Sequence, residues 1–348
     1  MYNRNGDIMN KEFKLMMKDL LKDEYDEFIE SLDKPNIKAF YLNPLKKDSI
    51  KYLNQDYIKK HPVVKDGYYF DYENYPLGKS PFFLTGNYYI QEPSAMLVTH
   101  FLDIQHDDYI LDMCAAPGGK TCSAAVRLSH EGLMIANDIV SLRAKILSEN
   151  VERFGLENTI VTNCDPIAFT KILPGFFDKI ILDAPCSGEG MFRKTDAAIE
   201  TWSLDKVKEC AYIQRNLIDA AMTLLKPGGM LMYSTCTYNK MENEEQLDYI
   251  LENKKLADKN DFVQDMVQIE NHENIGSIKI PVNNNTNLTP DIDLTEKIIT
   301  IPDINRAALQ LTGYFDYFEF VRIQIVGYVE YTYLQKIKME KIIEQLDA

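Results

Sequence analysis

Five short apolar runs, each ending in polar or sulfur-bearing residues, constrain this chain more than any other feature. YILDM starts at Tyr109, and GLMIAND, NTIVTNCD, FDKIILDAP and GGMLMYSTC follow it, the last reaching Cys236. Helical patterns separate them. The clearest begins after Ser203, repeats through Leu204, Val207, Ala211, Leu217, Ile218, Ala221, Leu224 and Leu225, and stops at Pro227-Gly228-Gly229. Alternating strands and helices imply a parallel sheet covered on both faces. The expected fold is α/β: a doubly wound, Rossmann-like sheet over residues 85–255. A small α+β module with an N-terminal helix precedes it (1–84), and an atypical β-rich C-terminal region follows (256–348).

Open parallel sheets bind ligands at the carboxyl ends of their strands. Those ends are Asp112 to Lys120, Asn137-Asp138, Cys164-Asp165, Asp183 to Gly188 and Ser234 to Thr237. One or two polar ends are ordinary loop chemistry, but five in series, four with cysteine, point to a site. The first turn, AAPGGK, lets backbone approach a ligand closely and aims amides at it from a helix N-terminus. It is neither GxGxxG nor GxxxxGK[ST], so a nicotinamide or nucleotide phosphate is disfavoured. Asp138 follows Gly118 by twenty residues, where an acid holds ribose hydroxyls. A nucleoside-bearing cofactor without pyrophosphate is implied, and S-adenosylmethionine fits.

Two further ends place thiols at the same crevice, Cys186 in DAPC and Cys236 in STCT. A free buried cysteine is ordinarily inert core. At a strand end facing a ligand it becomes a candidate nucleophile. Thiolate addition suits an electron-poor double bond such as carbon 6 of a cytosine. Addition there makes carbon 5 nucleophilic enough to take a methyl group from a sulfonium donor.

Composition narrows the class. The 348 residues are 45% hydrophobic, enough for a sizeable core, and the formal charge of -15 disfavours a generally basic nucleic-acid binder while leaving room for a local basic face. All six cysteines lie in the central part of the chain, from Cys114 to Cys236, without a paired CxxC pattern, which points to a cytosolic protein rather than a disulfide scaffold. No export signal or membrane-spanning run is found, so no membrane is expected. The five histidines are scattered, and no metal is expected.

Residues 9–30 carry the spacing of one amphipathic helix. Residues 31–67 hold eight Lys and four Asp, interleaved with Phe40, Tyr41, Tyr52 and Tyr57. A solvated face is the ordinary reading, and a phosphate-contacting patch with stacking aromatics is the alternative. Tyr88 and Tyr89 precede the crevice and could stack a base, although packing is the commoner role. Trp202 reads as core. Past residue 257 the rhythm breaks: GSIKIPV, EKIITIP and the run from Tyr314 to Tyr333 look strand-like, and the last fifteen residues look helical.

Residues 85–252 resemble the NOL1/NOP2/Sun family of RNA cytosine-5 methyltransferases, in its bacterial RsmF-like branch. The resemblance rests on YYIQEPSAM, LDMCAAPGGKT, ANDIVSLRAKILSENVERFG, DAPCSGEGMFRK and YSTCTYNKMENEE. With the N-terminal helix and NIKAFYLNPLK it reaches about 70% of the chain. It implies S-adenosylmethionine as cofactor and RNA as substrate, ribosomal RNA ahead of tRNA, in a cytoplasmic monomer. Cys114, Ala115, Ala116, Pro117, Gly118, Gly119 and Lys120 would line the methionine end of the cofactor. Asp138 would hold the ribose, Asp165 would sit near the adenine, and Asp183 would mark the cofactor–substrate junction. Cys236 would attack carbon 6, Cys186 would assist breakdown of the adduct, and Lys194 would position the RNA or the base.

Two departures stand out. Tyr41-Leu42-Asn43 replaces the family's Arg-Val-Asn, removing one basic RNA contact. The Pro-His and Gly-rich segment that follows the ENEE helix in the family is missing; Gly313 to Phe318 is a candidate remnant of the last strand, and the tail is acidic. An alternative is therefore a cofactor-binding RNA scaffold or ribosome-assembly factor with reduced catalysis. A DNA cytosine methyltransferase is suggested by Pro185-Cys186, but the second thiol fits the RNA class better.

Overall fold

A computed structural model describes residues 9–33, 37–253 and 322–329. At its start Asn10 caps α1 (Lys11–Leu21), its side chain accepting from the Glu12 amide at 2.8 Å. The single helix expected over 9–30 is two helices. Lys22 takes a left-handed φ of 50°, a short 3-10 turn covers Lys22–Glu24, and α2 (Tyr25–Ser31) follows. A straight helix would set Phe13 and Phe28 about 22 Å apart along its axis. The break brings their ring centroids to 6.4 Å, within one apolar cluster.

β1 (Ala39–Leu42), β2 (Ile58–Lys60), β3 (Gly67–Phe70) and β4 (Tyr88–Gln91) form an antiparallel sheet in the order β2-β3-β1-β4. Phe40, Phe70, Leu77 and Tyr88 fill its core. Tyr88 and Tyr89 are therefore packing residues rather than base platforms: the Tyr88 hydroxyl donates to the Leu77 carbonyl at 2.9 Å, and Tyr89 packs edge-on to Phe154. Of the aromatics in 31–67, Phe40 and Tyr41 are buried, whereas Tyr52 and Tyr57 are exposed and stack on Phe82 and Tyr75. Because β4 completes this sheet, we propose that the N-terminal module ends after Gln91 rather than at residue 84.

The larger unit runs through α3 (Ala95–Phe101), β5 (Tyr109–Asp112), α4 (Gly119–Ala125), β6 (Leu133–Asn137), α5 (Ser141–Phe154), β7 (Thr159–Thr162) and β8 (Phe177–Asp183). It continues with α6 (Asp196–Thr201), α7 (Leu204–Leu224), β9 (Leu225–Thr235), α8 (Glu244–Asn253) and β10 (Arg322–Val329). The strand order is β10-β9-β8-β5-β6-β7. β5 to β9 are parallel, as the alternation predicts, and β10 pairs antiparallel with β9 from Arg322 opposite Thr235 to Val329 opposite Gly229. The edge strand lies within the Tyr314–Tyr333 run. GSIKIPV, EKIITIP, Gly313 to Phe318 and the last fifteen residues lie outside the described residues.

Successive strand residues enter opposite layers. Leu111 and Ile180 join Phe177, Leu217 and Leu231 on one face, while Ile110 and Ile181 join Met134, Leu147 and Met232 on the other. Both faces are thus covered, and their strands read as nearly continuous apolar runs. The order reverses between β5 and β8, which opens a crevice at their carboxyl ends. Among the described residues no helix is long and apolar enough to cross a membrane.

The N-terminal elements meet this unit at two places. The Asn43 amide donates to the Gly86 and Phe154 carbonyls at 2.9 and 2.7 Å. Phe13 sits 4.9 Å from the Phe192 ring and edge-on to Trp202, and Phe28 is edge-on to Tyr238. Trp202 is core, as its sequence context suggests.

Candidate functional site

The crevice at the strand ends has a volume of about 700 Å³, ample for a nucleoside-sized ligand. Cys114, Asp138, Asp165, Asp183, Cys186 and Cys236 all line it. The rest of the AAPGGK turn builds the wall from behind. Ala115 and Ala116 are buried, Arg143 donates to the Ala116 carbonyl at 2.7 Å, and Asn150 donates to that of Pro117 at 2.8 Å. Gly118 takes φ 109° at the entry to α4, a region that favours glycine. A Cβ on Gly119 would stand 2.6 Å from the Gln91 side-chain oxygen, so this turn is held close to β4.

Asp138 is buried, and its Oδ1 accepts from the Val140 amide at 2.9 Å. Its Oδ2 lies 3.3 Å from the Arg143 guanidinium but takes no hydrogen bond, leaving one acceptor aimed at a missing donor. That is the geometry a ribose hydroxyl satisfies, and the residues present fit a nucleoside cofactor. Exposed Ile139 and Ile167 flank the same space with apolar surface suited to a purine. Asp165 caps the turn beginning at Pro166 by accepting from the Ile167 amide at 3.0 Å.

Asp183 joins the two halves. Its Oδ2 pairs with Lys120 Nζ at 2.8 Å and its Oδ1 accepts from Ser234 Oγ at 2.8 Å. Burial works against the Lys120 charge, and the contact with Asp183 outweighs it, so Lys120 titrates above its ordinary value. Lys120 acts on the crevice through Asp183 rather than as part of its wall. Lys194 is paired with Glu92, Nζ to Oε1 at 2.6 Å.

Cys186 Sγ and Cys236 Sγ are 3.2 Å apart. At this separation one sulfur donates a hydrogen bond to the other. The hydrogen bond with Cys186 draws Cys236 below the ordinary thiol range against its burial, with Lys120 and Lys194 adding to the effect. The same contact, then burial, pushes Cys186 well above it. Cys114 is pushed up by burial and by Asp112.

Sequence reasoning assigned no role to Arg143, Ile139, Ile167 or Glu92. Glu92 stands in the quoted QEPSAM segment, but nothing local marks it as the partner of a lysine about a hundred residues later. Arg143 lies on a helix five residues past Asp138, a spacing with no signature of its own. Among the described residues no cluster of His, Cys, Asp and Glu could hold a metal ion.

Comparisons with known proteins bear on the family and the fold. The model of the 16S rRNA methyltransferase RsmB/F family matches residues 99–290, and that of the N-terminal domain of 16S rRNA methyltransferase RsmF matches residues 9–93. The tail resembles something else: the HPr serine kinase N terminus model matches residues 279–348. The ribosomal RNA small subunit methyltransferase F of Salmonella agona is 40% identical over 231 residues, 64% of this chain and 48% of that protein. The chain spans about half the length of the curated relatives it matches. A methyltransferase homologue from Pyrococcus horikoshii superposes with a TM-score of 0.65 at 30% identity, over 79% of this chain and 84% of that one. The structure of NSun6 from the same organism with SFG gives a TM-score of 0.63 at 23% identity, over 77% and 91%, a likeness of fold.

Proposed function

The chain belongs to the 16S rRNA methyltransferase RsmB/F family, and we propose that it transfers a methyl group from S-adenosylmethionine to carbon 5 of a cytosine in small-subunit ribosomal RNA. The observation that carries the cytosine-5 chemistry is the pair of thiols 3.2 Å apart at a crevice that also holds the open acceptor of Asp138. When bound, the cofactor supplies an electrophilic methyl group. Asp138 would hold its ribose, Asp165 would lie by its adenine, and Cys114, backed by the turn from Ala115 to Lys120, would line its methionine end.

Cys236 attacks carbon 6 of a cytosine turned out of its stack, because an in-stack base hides that face. The bond from sulfur to carbon 6 pushes the ring electrons toward carbon 5, which takes the methyl group. Its remaining proton must leave before the carbon–sulfur bond can break and Cys236 be expelled. Cys186 is close enough to assist that stage. Asp183 keeps Lys120 beside the reacting sulfur, and Lys194 positions the RNA or the base.

The two thiols therefore have separable jobs, and single variants incubated with cofactor and 16S rRNA test this. Cys236→Ala is expected to lose methylation and to form no covalent RNA adduct. Cys186→Ala is expected to attack but stall, leaving protein cross-linked to RNA on a denaturing gel. An adduct trapped by Cys236→Ala instead would exchange the roles, and unchanged methylation in both would remove the covalent mechanism.

A further inference from the structure

Two carboxylates without a place in this chemistry lie fully buried beneath the thiols, Glu189 and Glu242. Their hydrogen bonds run crosswise. Glu189 follows Cys186 in the chain, yet its Oε2 accepts from the amides of Tyr238 and Asn239, just past Cys236, at 2.7 and 3.0 Å. Glu242 follows Cys236, yet its Oε2 accepts from the Ser187 amide, just past Cys186, at 2.9 Å. Asn239 Nδ2 bridges them, 3.0 Å from Glu189 and 2.7 Å from Glu242. Trp202 adds a donor to Glu189, and Gln214 one to Glu242.

We propose that Glu189 and Glu242 are positioning residues that cross-brace the two cysteine loops and so fix the separation of the thiols. A buried carboxylate is costly unless hydrogen bonded, and a core of similar volume could be built from apolar side chains. What apolar side chains could not do is accept from backbone amides of the opposite loop. Each carboxylate offers only acceptors, and the groups around the pair donate: backbone amides, Trp202, Gln214, Asn239 Nδ2 and, at Glu189, the Thr237 hydroxyl. Glutamine in either place sets an N–H group against N–H donors and pulls the brace open. A thiol displaced by a fraction of an ångström then loses its partner while the sheet and the Asp138 side of the crevice, built on other strands, stay in place.

The proposal rests on the methyltransferase reading for its catalytic consequence, so the test needs a readout independent of RNA. A trivalent phenylarsenical supplies one. It condenses with two neighbouring thiols to give two arsenic–sulfur bonds and releases water, and it demands closely paired sulfurs. Glu189→Gln and Glu242→Gln are expected to slow arsenical capture and single-turnover methylation together, each by about 10- to 100-fold, with cofactor affinity within about twofold of wild type. Trp202→Phe removes one donor from Glu189 while keeping the carboxylate and an aromatic ring in the core, and covers the case in which a glutamine variant does not fold. It is expected to show the same pattern more weakly. Unchanged arsenical capture in the folded variants would overturn the brace. Loss of cofactor binding in step with capture would also overturn it, by showing a general loosening. A wild-type protein that captures the arsenical but methylates no RNA would count against the proposed function and leave the brace standing.

Discussion

Asp138 is the residue on which the proposed ribose contact rests. One oxygen is held by backbone and the other, buried beside Arg143, takes no hydrogen bond. Asp138→Ala is expected to weaken S-adenosylmethionine binding by about 1–3 kcal/mol, read by calorimetry. Unchanged affinity would remove Asp138 from the site. Asp112 is a second case. Burial pushes its carboxyl up to about 7, with Thr121 donating to Oδ2 at 2.7 Å. The folded protein therefore holds a proton there that the unfolded chain releases near pH 4. The resulting stability is present in acid and is lost as pH rises from about 4 through 7. Asp112→Asn keeps an acceptor for Thr121 and cannot ionise. Urea unfolding should show the variant gaining on wild type by on the order of a few kcal/mol between pH 4 and pH 8. A difference that stays flat with pH would show that Asp112 titrates normally. Asp138, Asp183 and the two cysteines were legible in sequence because each ends an apolar run. Glu189 and Glu242 were not, since their bonds join loops about fifty residues apart and neither loop alone carries a pattern.

At the scale of elements, the parallel strands were legible because burial on both faces makes them continuous apolar runs. The break at Lys22 was hidden, because a helical period does not record where φ changes sign. The pairing of β4 was hidden for a related reason: its neighbours in sequence are the crevice motifs, but its partner in space is β1, the ground for the boundary proposed after Gln91. The packing between the N-terminal sheet and α5 depends on Gly86, which has φ 69°. A Cβ there would stand 1.9 Å from the Arg153 carbonyl oxygen. Backbone cannot yield as a side-chain tip can, so Gly86→Ala is expected to cost more than about 2 kcal/mol, seen as a lowered thermal midpoint. A midpoint within a degree of wild type would show that the two units are not locked at this point.

At the scale of the molecule, a formal charge of -15 sits on a member of an RNA methyltransferase family. Part of the lysine excess in residues 31–67 has structural work: Lys59 and Lys60 lie on the edge strand β2, where charge discourages pairing with other chains. Lys46 donates to the Thr85 and Arg153 carbonyls. The larger sheet closes with an antiparallel edge strand, β10, from the tail, whose sequence resembles another family over residues 279–348. The central proposal is that carbon 5 of a cytosine is the methyl acceptor. The most direct measurement is to incubate the full chain with methyl-labelled S-adenosylmethionine and 16S rRNA, digest the RNA to nucleosides and separate them. The account predicts label in 5-methylcytidine, absent with Cys236→Ala. Label in any other nucleoside, or none with the wild-type protein, would contradict it.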